Sequence, residues 1–326
     1  RQAVERRLAG AVAEPSLLGL MGRMEAQGVA SCWPHRSDLY RQLAGKLWVP
    51  EVSQTRPDLR VPPTVRIDVA AWTADPKGTA EKCIEELRQL SKDVSGPRSG
   101  AADAYRGIAK LGFSWMGEDV RPFTGPQELT MVLRQMLDGC PTDAVCLVQE
   151  RVEDVDCEFR LVCCRDLAAG PGAVAWELVR MQQKAAPLVG GDGTFSLASH
   201  LTMSSSEVAK ACFGGSAALV AAVDDEVKRL GELWLQWFRD SGFGTPGPAF
   251  RLDFLVAGAS KSKGRSPQVW TVELCECGGS LCNLGHEPRT TAFLNECLHA
   301  RASETGAPPA HAPAALPPFV NARPPS

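Results

Sequence analysis

An α+β fold built mainly on antiparallel strands is what this 326-residue chain predicts, and three features predict it. Amphipathic helical segments and short strand-like runs are interspersed along the chain. The runs 144–152, 157–166 and 174–184 follow one another through connections too short for a crossover helix, so they form an antiparallel meander. Two further strands, 249–258 and 268–277, are separated by "ASKSKGRSP", a solvated hairpin loop.

The remaining elements follow in chain order. Apolar residues recur at helical spacing from Glu5 to Gly28, giving one or two helices. The stretch "SDLYRQLAGKLW" (37–48) opens on a Ser-Asp cap and carries a short helix that ends near Gly45. "LRVPPTVRIDV" (59–69) is a strand entered through Pro62-Pro63, which donate no ladder hydrogen bond and so do not sit in a central ladder. From Gly78 to Lys92, the residues Ala80, Cys83, Ile84, Leu87 and Leu90 form one apolar helical stripe. "AYRGIAKLGFSWMGEDV" (104–120) gives a strand, a glycine-flanked loop and a second strand, and "GPQELTMVLRQML" (125–137) a helix. Beyond the meander a long helix spans 205–237, either continuous or interrupted near Gly214-Gly215, and a last helix covers roughly 289–302. After Ser303 the chain is Pro/Ala-rich without period, which predicts a disordered tail.

Composition narrows the function classes. With 44% hydrophobic and 22% charged residues and a formal net charge of −3, nothing draws the chain to nucleic acid. Apolar stretches such as Ala217 to Val223 fall far short of the roughly 20 residues that cross a bilayer, so no membrane association is expected. The chain opens at Arg1 without the apolar core of a secretory signal, as a fragment or processed chain would. Several of the twelve cysteines lie inside apolar runs, as in Val162-Cys163-Cys164; buried reduced thiols and a cytoplasmic setting are expected.

The chemistry-bearing residues emerge from strand alternation. In "AFRLDFLV" Phe250, Leu252, Phe254 and Val256 share one face, while Arg251 and Asp253 share the other. In "VELCEC" Glu273, Cys275 and Cys277 oppose Val272, Leu274 and Glu276. If these strands pair, Asp253 and Glu273 converge, and paired carboxylates suit Mg²⁺. The alternative is a solvated sheet face. "CEFRLV" repeats the split, with Glu158 and Arg160 on one face, and three such strands point to a lined cleft. Arg160 and Arg251 would be available to phosphate oxygens. Lys110 leads into the loop "LGFSWMG", a composition that serves either phosphate binding or an exposed hairpin. No GxxxxGK[ST] run occurs, which excludes a Walker-type loop. Trp115 in that loop is placed to close over a ligand, whereas Trp176, Trp234 and Trp237 are expected in the core. Cys275, Cys277, Cys282 and His286 lack the paired C-x-x-C knuckles of the common structural zinc sites. Gly278-Gly279 either let the backbone approach a ligand or make a tight turn.

The order of these motifs resembles the ATP-grasp superfamily over roughly residues 40 to 298. Lys46 in "LAGKLW" and Lys110 in "IAKLGFSWMG" match its two nucleotide lysines, and Gln149-Glu150 in "LVQERV" its hinge pair near adenine. Glu158 and Arg160 in "CEFR" match an acid and an arginine of the next strand. Arg251, Asp253 and Glu273 match its Arg-x-Asp and Glu-x-Asn strands, which bind magnesium; Cys275, a soft thiol, stands where the family has Asn. The resemblance implies an N-terminal helical segment (1–45), two lobes (46–145 and 146–302), each with a mainly antiparallel sheet and helices, and the tail (303–326). It implies ATP and Mg²⁺ as cofactors, with Lys46, Lys110, Gln149, Glu150, Glu158 and Arg160 at the nucleotide. Asp253, Glu273 and Cys275 would be the metal positions, and Arg251 and Arg160 the catalytic cations. The implied activity is a ligase that joins a small-molecule or peptide carboxylate to an amine or thiol through an acylphosphate. A nucleotide-binding protein that has lost catalysis is the alternative.

Overall fold

Cross-strand pairing sorts nine strands into two wholly antiparallel sheets among the residues that the computed structural model describes, namely 14–29, 37–95, 105–112, 119–140, 144–166, 169–170, 173–183, 200–243, 249–258 and 266–275. The first sheet has the order β1 (Thr64–Ile67), β4 (Cys146–Glu150), β2 (Arg106–Leu111), β3 (Val120–Thr124). The second has the order β7 (His200–Met203), β6 (Val174–Gln183), β5 (Val155–Arg165), β8 (Ala249–Ala257), β9 (Gln268–Cys275). β1 is an edge strand, as Pro62-Pro63 require, and the Glu150 amide donates to the Pro63 carbonyl at 2.8 Å. β4 pairs with β1 and β2 and not with β5, so the expected meander of 144–152, 157–166 and 174–184 is split: its first strand belongs to the first sheet, its other two to the second, and residues 151–154 lead from one to the other.

Helices cover one face of each sheet. α1 (Glu14–Ala26), α2 (Ser37–Ala44) and α3 (Trp48–Thr55) precede the first sheet; α4 (Val69–Ala74) and α5 (Pro76–Ser95) follow β1, and α6 (Gly125–Leu137) follows β3. The predicted stripe of α5 is realised: Ala80, Cys83, Ile84 and Leu87 pack with Leu129 and Leu133 of α6 over Ala109, Cys146 and Val148 of the sheet. α3 and α4 are additional to the helices that periodicity predicts. α3 carries Pro50 in its first turn, where the missing N–H would have no intrahelical partner.

The long helix after β7 is interrupted. α7 (Ser205–Cys212) ends in a turn through Gly214-Gly215, both at positive φ, and α8 (Ala217–Asp240) leaves at 110° to it. α8 buries Val220, Val223, Val227, Leu230, Trp234 and Phe238 against Phe159, Leu161, Phe250, Leu252 and Phe254. Each such side chain contributes about 1.5–3 kcal/mol of transfer free energy. Trp234 also meets Trp48 of α3 edge-on, 5.0 Å between ring centroids. Its indole N–H donates to Thr271 Oγ1 at 3.3 Å, and that hydroxyl donates to the Leu59 carbonyl at 2.8 Å. The segment before β1 is thereby tied to β9 of the other sheet. No single described helix is long and apolar enough to cross a membrane. The expected helix at 289–302, the tail, Trp115, Gly278-Gly279 and Cys277, Cys282 and His286 lie outside the described residues.

Candidate functional site

Register brings the charged residues of three strands onto one face of the second sheet. Arg160 of β5 lies directly opposite Asp253 of β8, Asp253 opposite Glu273 of β9, and Arg251 opposite Cys275. The other face, with Phe159, Leu161, Phe250, Leu252 and Phe254, is the one that α8 covers, so the polar set is turned away from the apolar core.

The geometry within the set is tight. Arg251 Nε and an Nη donate to the two carboxylate oxygens of Asp253 at 2.7 and 2.9 Å, and the same Nη approaches Cys275 Sγ at 3.1 Å. Arg160 Nε donates to Glu158 Oε1 at 2.8 Å and lies 3.5 Å from Asp253 Oδ2. Burial works against the charge of Arg251, but Asp253, Cys275 and Glu273 around it raise its pKa. One ligand atom from each of Asp253, Glu273 and Cys275 falls within 4.8 Å of the others, so side-chain rotation can bring them onto a single cation.

β9 reaches this arrangement through a bulge. Asp253 pairs with Glu273 but Phe254 pairs with Thr271, which leaves Val272 as the extra residue. Simple alternation puts Val272 on the core face with Leu274; instead Thr271 takes the core position and Val272 is half-buried. The phase change also turns Trp270 onto the polar face, opposite Leu255. Trp270, Gln268 and Ala257 there join Pro62, Pro63 and residues 150–153 around a pocket of about 140 Å³ at the passage between the sheets. Alternation from Glu273 would have sent Trp270 into the core, so only a bulge signal would have revealed it.

The first sheet supplies the opposite side. Lys110 on β2 and Gln149 on β4 share a face, and Lys110 Nζ donates to Gln149 Oε1 at 2.9 Å, while Gln149 Nε2 donates to Thr64 Oγ1 at 2.7 Å. Burial, then the nearby charge of Lys46, lowers the Lys110 pKa to about 8; Glu273 of the second sheet is near enough to oppose the shift. Lys46 caps α2 in a left-handed conformation, φ 56°, with its own amide donating to Leu43 and that of Leu47 to Gln42. That position is ordinarily glycine's; here the glycine comes one residue earlier. Gly45 lies against Gly112, where an added Cβ would come 2.4 Å from the Gly45 carbonyl oxygen. This contact holds the Lys46 turn beside the end of β2.

Glu150 is not brought together with Gln149. It alternates to the helix-covered face of the first sheet, where the Ser91 hydroxyl donates to its carboxylate and the Tyr105 hydroxyl does so at 3.5 Å. Its place at the pocket is held by the chain path at the passage, not by the direction of a freely presented carboxylate. Thus Lys46, Lys110, Gln149, Glu158, Arg160, Arg251, Asp253, Glu273 and Cys275 gather around the space between the sheets, and Glu150 faces away from it.

No protein-family model and no curated protein matches the sequence. Among solved structures, the chain is similar to the D-cycloserine synthetase DcsG, with 18% identity and a TM-score of 0.50 over 88% of this chain and 79% of that one. It also aligns with the D-alanine-D-alanine ligase from Coxiella burnetii, with 12% identity, a TM-score of 0.46, and coverage of 88% and 66%. The corresponding ligase from Helicobacter pylori aligns with 14% identity, a TM-score of 0.45, and coverage of 86% and 67%. At these identities the likeness is one of fold. The chain spans about two thirds of the length of those two ligases.

Proposed function

The chain has an ATP-grasp fold, and on that premise we propose that it is an ATP- and magnesium-dependent ligase. In this reading a carboxylate oxygen of the substrate takes the γ-phosphoryl group, ADP leaves, and an amine or thiol displaces phosphate from the acylphosphate. The observation that carries the reading is the in-register row Arg160, Asp253, Glu273 on one sheet face, with Lys110 across from it. Carboxylates for a cation, flanked by cations for phosphate, are what phosphoryl transfer by positioning and charge requires.

Lys46 and Lys110 would meet phosphate oxygens, and Arg160 and Arg251 the transferred group or the substrate carboxylate. Glu158 and Gln149 would orient the nucleotide's polar edge, and the main chain at Glu150 would border its base in the pocket beside Trp270. The donor set fits a hard cation at Asp253 and Glu273, whose oxygens are its usual ligands; the Cys275 sulfur does not fit. Mg²⁺ held by the two acids would offset phosphate charge. The substrate is a small-molecule or peptide carboxylate, and the free thiols among the described cysteines support a reducing, cytoplasmic setting.

Hydroxylamine tests this reading without knowledge of the natural nucleophile, since it converts any acylphosphate into a hydroxamate. A panel of amino acids, peptides and simple carboxylates with ATP and Mg²⁺ should yield ADP and hydroxamate for at least one member. Glu273→Gln should abolish it. Nucleotide binding with no hydroxamate or ADP from any carboxylate would overturn the ligase reading and leave a binding protein.

A further inference from the structure

Cys275 is the one donor at the carboxylate row whose chemistry disagrees with magnesium. Its sulfur is fixed in place: the residue is buried, lies opposite Arg251 in the ladder, and accepts a hydrogen bond from that guanidinium at 3.1 Å. The Sγ and one oxygen each from Asp253 and Glu273 lie within 4.8 Å of one another. On a tetrahedral ion with bond lengths near 2.0 and 2.3 Å, an oxygen and a sulfur lie about 3.5 Å apart. Donor atoms at the outer limit of that spacing therefore close by about 1.3 Å to share one ion, a movement that side-chain rotation supplies.

Resting on the nucleotide-cleft reading above, we propose that Cys275 makes this site select a first-row transition cation of the Co²⁺ or Zn²⁺ class over Mg²⁺, through direct Sγ coordination. Thiolate sulfur favours such ions and does little for Mg²⁺, which takes oxygen and water. The two carboxylates alone accept either kind of ion, so the discrimination falls on one atom. The sulfur lies on the carboxylate face beside Glu273, two residues along β9, so an ion bound by Asp253 and Glu273 meets it without rearrangement of the strand. A hard ion in the same place would have to tolerate the sulfur as a non-ligand or shift toward solvent and nucleotide oxygens.

The experiment titrates Co²⁺ into the protein in the presence of a non-hydrolysable ATP analogue and reads the near-ultraviolet sulfur-to-cobalt charge-transfer absorption. Since the chain has twelve cysteines, the readout is the difference between wild type and Cys275→Ser, whose fold is checked by thermal melting. Wild type should show absorption that the variant lacks, and by competition calorimetry the variant's preference for Co²⁺ over Mg²⁺ should fall at least ~10-fold, the smallest loss seen even for an outer-shell partner. Analogue binding with Mg²⁺, but no Cys275-dependent absorption and an unchanged preference, overturns the proposal and leaves the nucleotide reading intact. Absence of analogue binding with every cation overturns the nucleotide reading, and the proposal with it. If Cys275→Ser does not fold, Glu273→Gln keeps the sulfur and should retain the absorption at higher Co²⁺ concentration; an unshifted titration overturns the proposal.

Discussion

Breaking the Arg251–Asp253 pair should destabilise the protein unequally, according to which partner is removed. The two side chains are 5% and 4% exposed and share two short hydrogen bonds. Losing one member of a buried pair costs about 3–5 kcal/mol, because the other charge stays desolvated. Asp253→Leu should show that full loss, since a guanidinium cannot shed its proton. Arg251→Met leaves a carboxylate, which can take one up. Burial already pushes the Asp253 carboxyl's pKa up against the pull of Arg251 and Arg160, and without Arg251 it rises further. The folded-state pKa then lies above the unfolded value of about 3.9, so the folded form binds more protons between the two. Stability of Arg251→Met therefore falls as pH rises through that interval, by about 1.4 kcal/mol per unit of separation. The double variant Arg251→Met/Asp253→Leu, with both charges replaced by apolar groups, should be more stable than Asp253→Leu alone. Urea denaturation followed by tryptophan fluorescence at about pH 5 and about pH 8 measures all three against wild type. A loss under about 1 kcal/mol for Asp253→Leu, or a pH-independent loss for Arg251→Met, would refute the reasoning.

Two further predictions concern Lys110 and Gly231. The folded-state pKa of Lys110, about 8, lies below its ordinary 10.5, so the unfolded chain binds more protons between these values and stability should rise with pH across that window. Lys110→Met should remove this rise in urea titrations, and should also remove a fall in nucleotide affinity, read by calorimetry, as the ammonium loses its charge near pH 8. In α8, a Cβ on Gly231 would lie 2.5 Å from Leu161 Cδ2 and 3.1 Å from Trp176 Cη2. Gly231→Ala should therefore lower stability: overpacking costs about 1–3 kcal/mol, against about 1 kcal/mol gained in helix propensity. A raised denaturation midpoint would contradict this close approach of helix to sheet.

What could be read from the sequence follows from how local each signal is. The faces of Arg251 and Asp253, and of Glu158 and Arg160, are set by a period of two within one strand, and the in-register rows agree with it. The stripe of α5 is equally local. Gly214-Gly215 marked a break as one of two alternatives, and the bend realises it because both residues adopt positive φ. By contrast, the approach of Lys46 to Lys110 depends on Gly45 meeting Gly112 across sixty-odd residues of chain, a contact that no window reveals. The opposite directions of Gln149 and Glu150 follow from alternation, yet which face looks toward the second sheet is decided by where α5 packs. Trp270 was hidden because its phase changes at Val272 within an unbroken β-like run.

That change of phase gives β9 two reading frames. From Gln268 to Thr271 the even-numbered residues look toward the pocket, and from Glu273 to Cys275 the odd-numbered ones look toward the carboxylate row. The hairpin half and the acidic half are thus separately specified, joined at a residue that belongs to neither alternation. Loss of Val272 would leave both halves on their present faces, whereas loss of Leu274 would move the sulfur of Cys275 into the apolar core and leave the acids without it. A strand of eight residues thus lines one face twice over, with Trp270 at the pocket and Glu273 and Cys275 at the acidic row, and Val272 absorbs the change of phase between them.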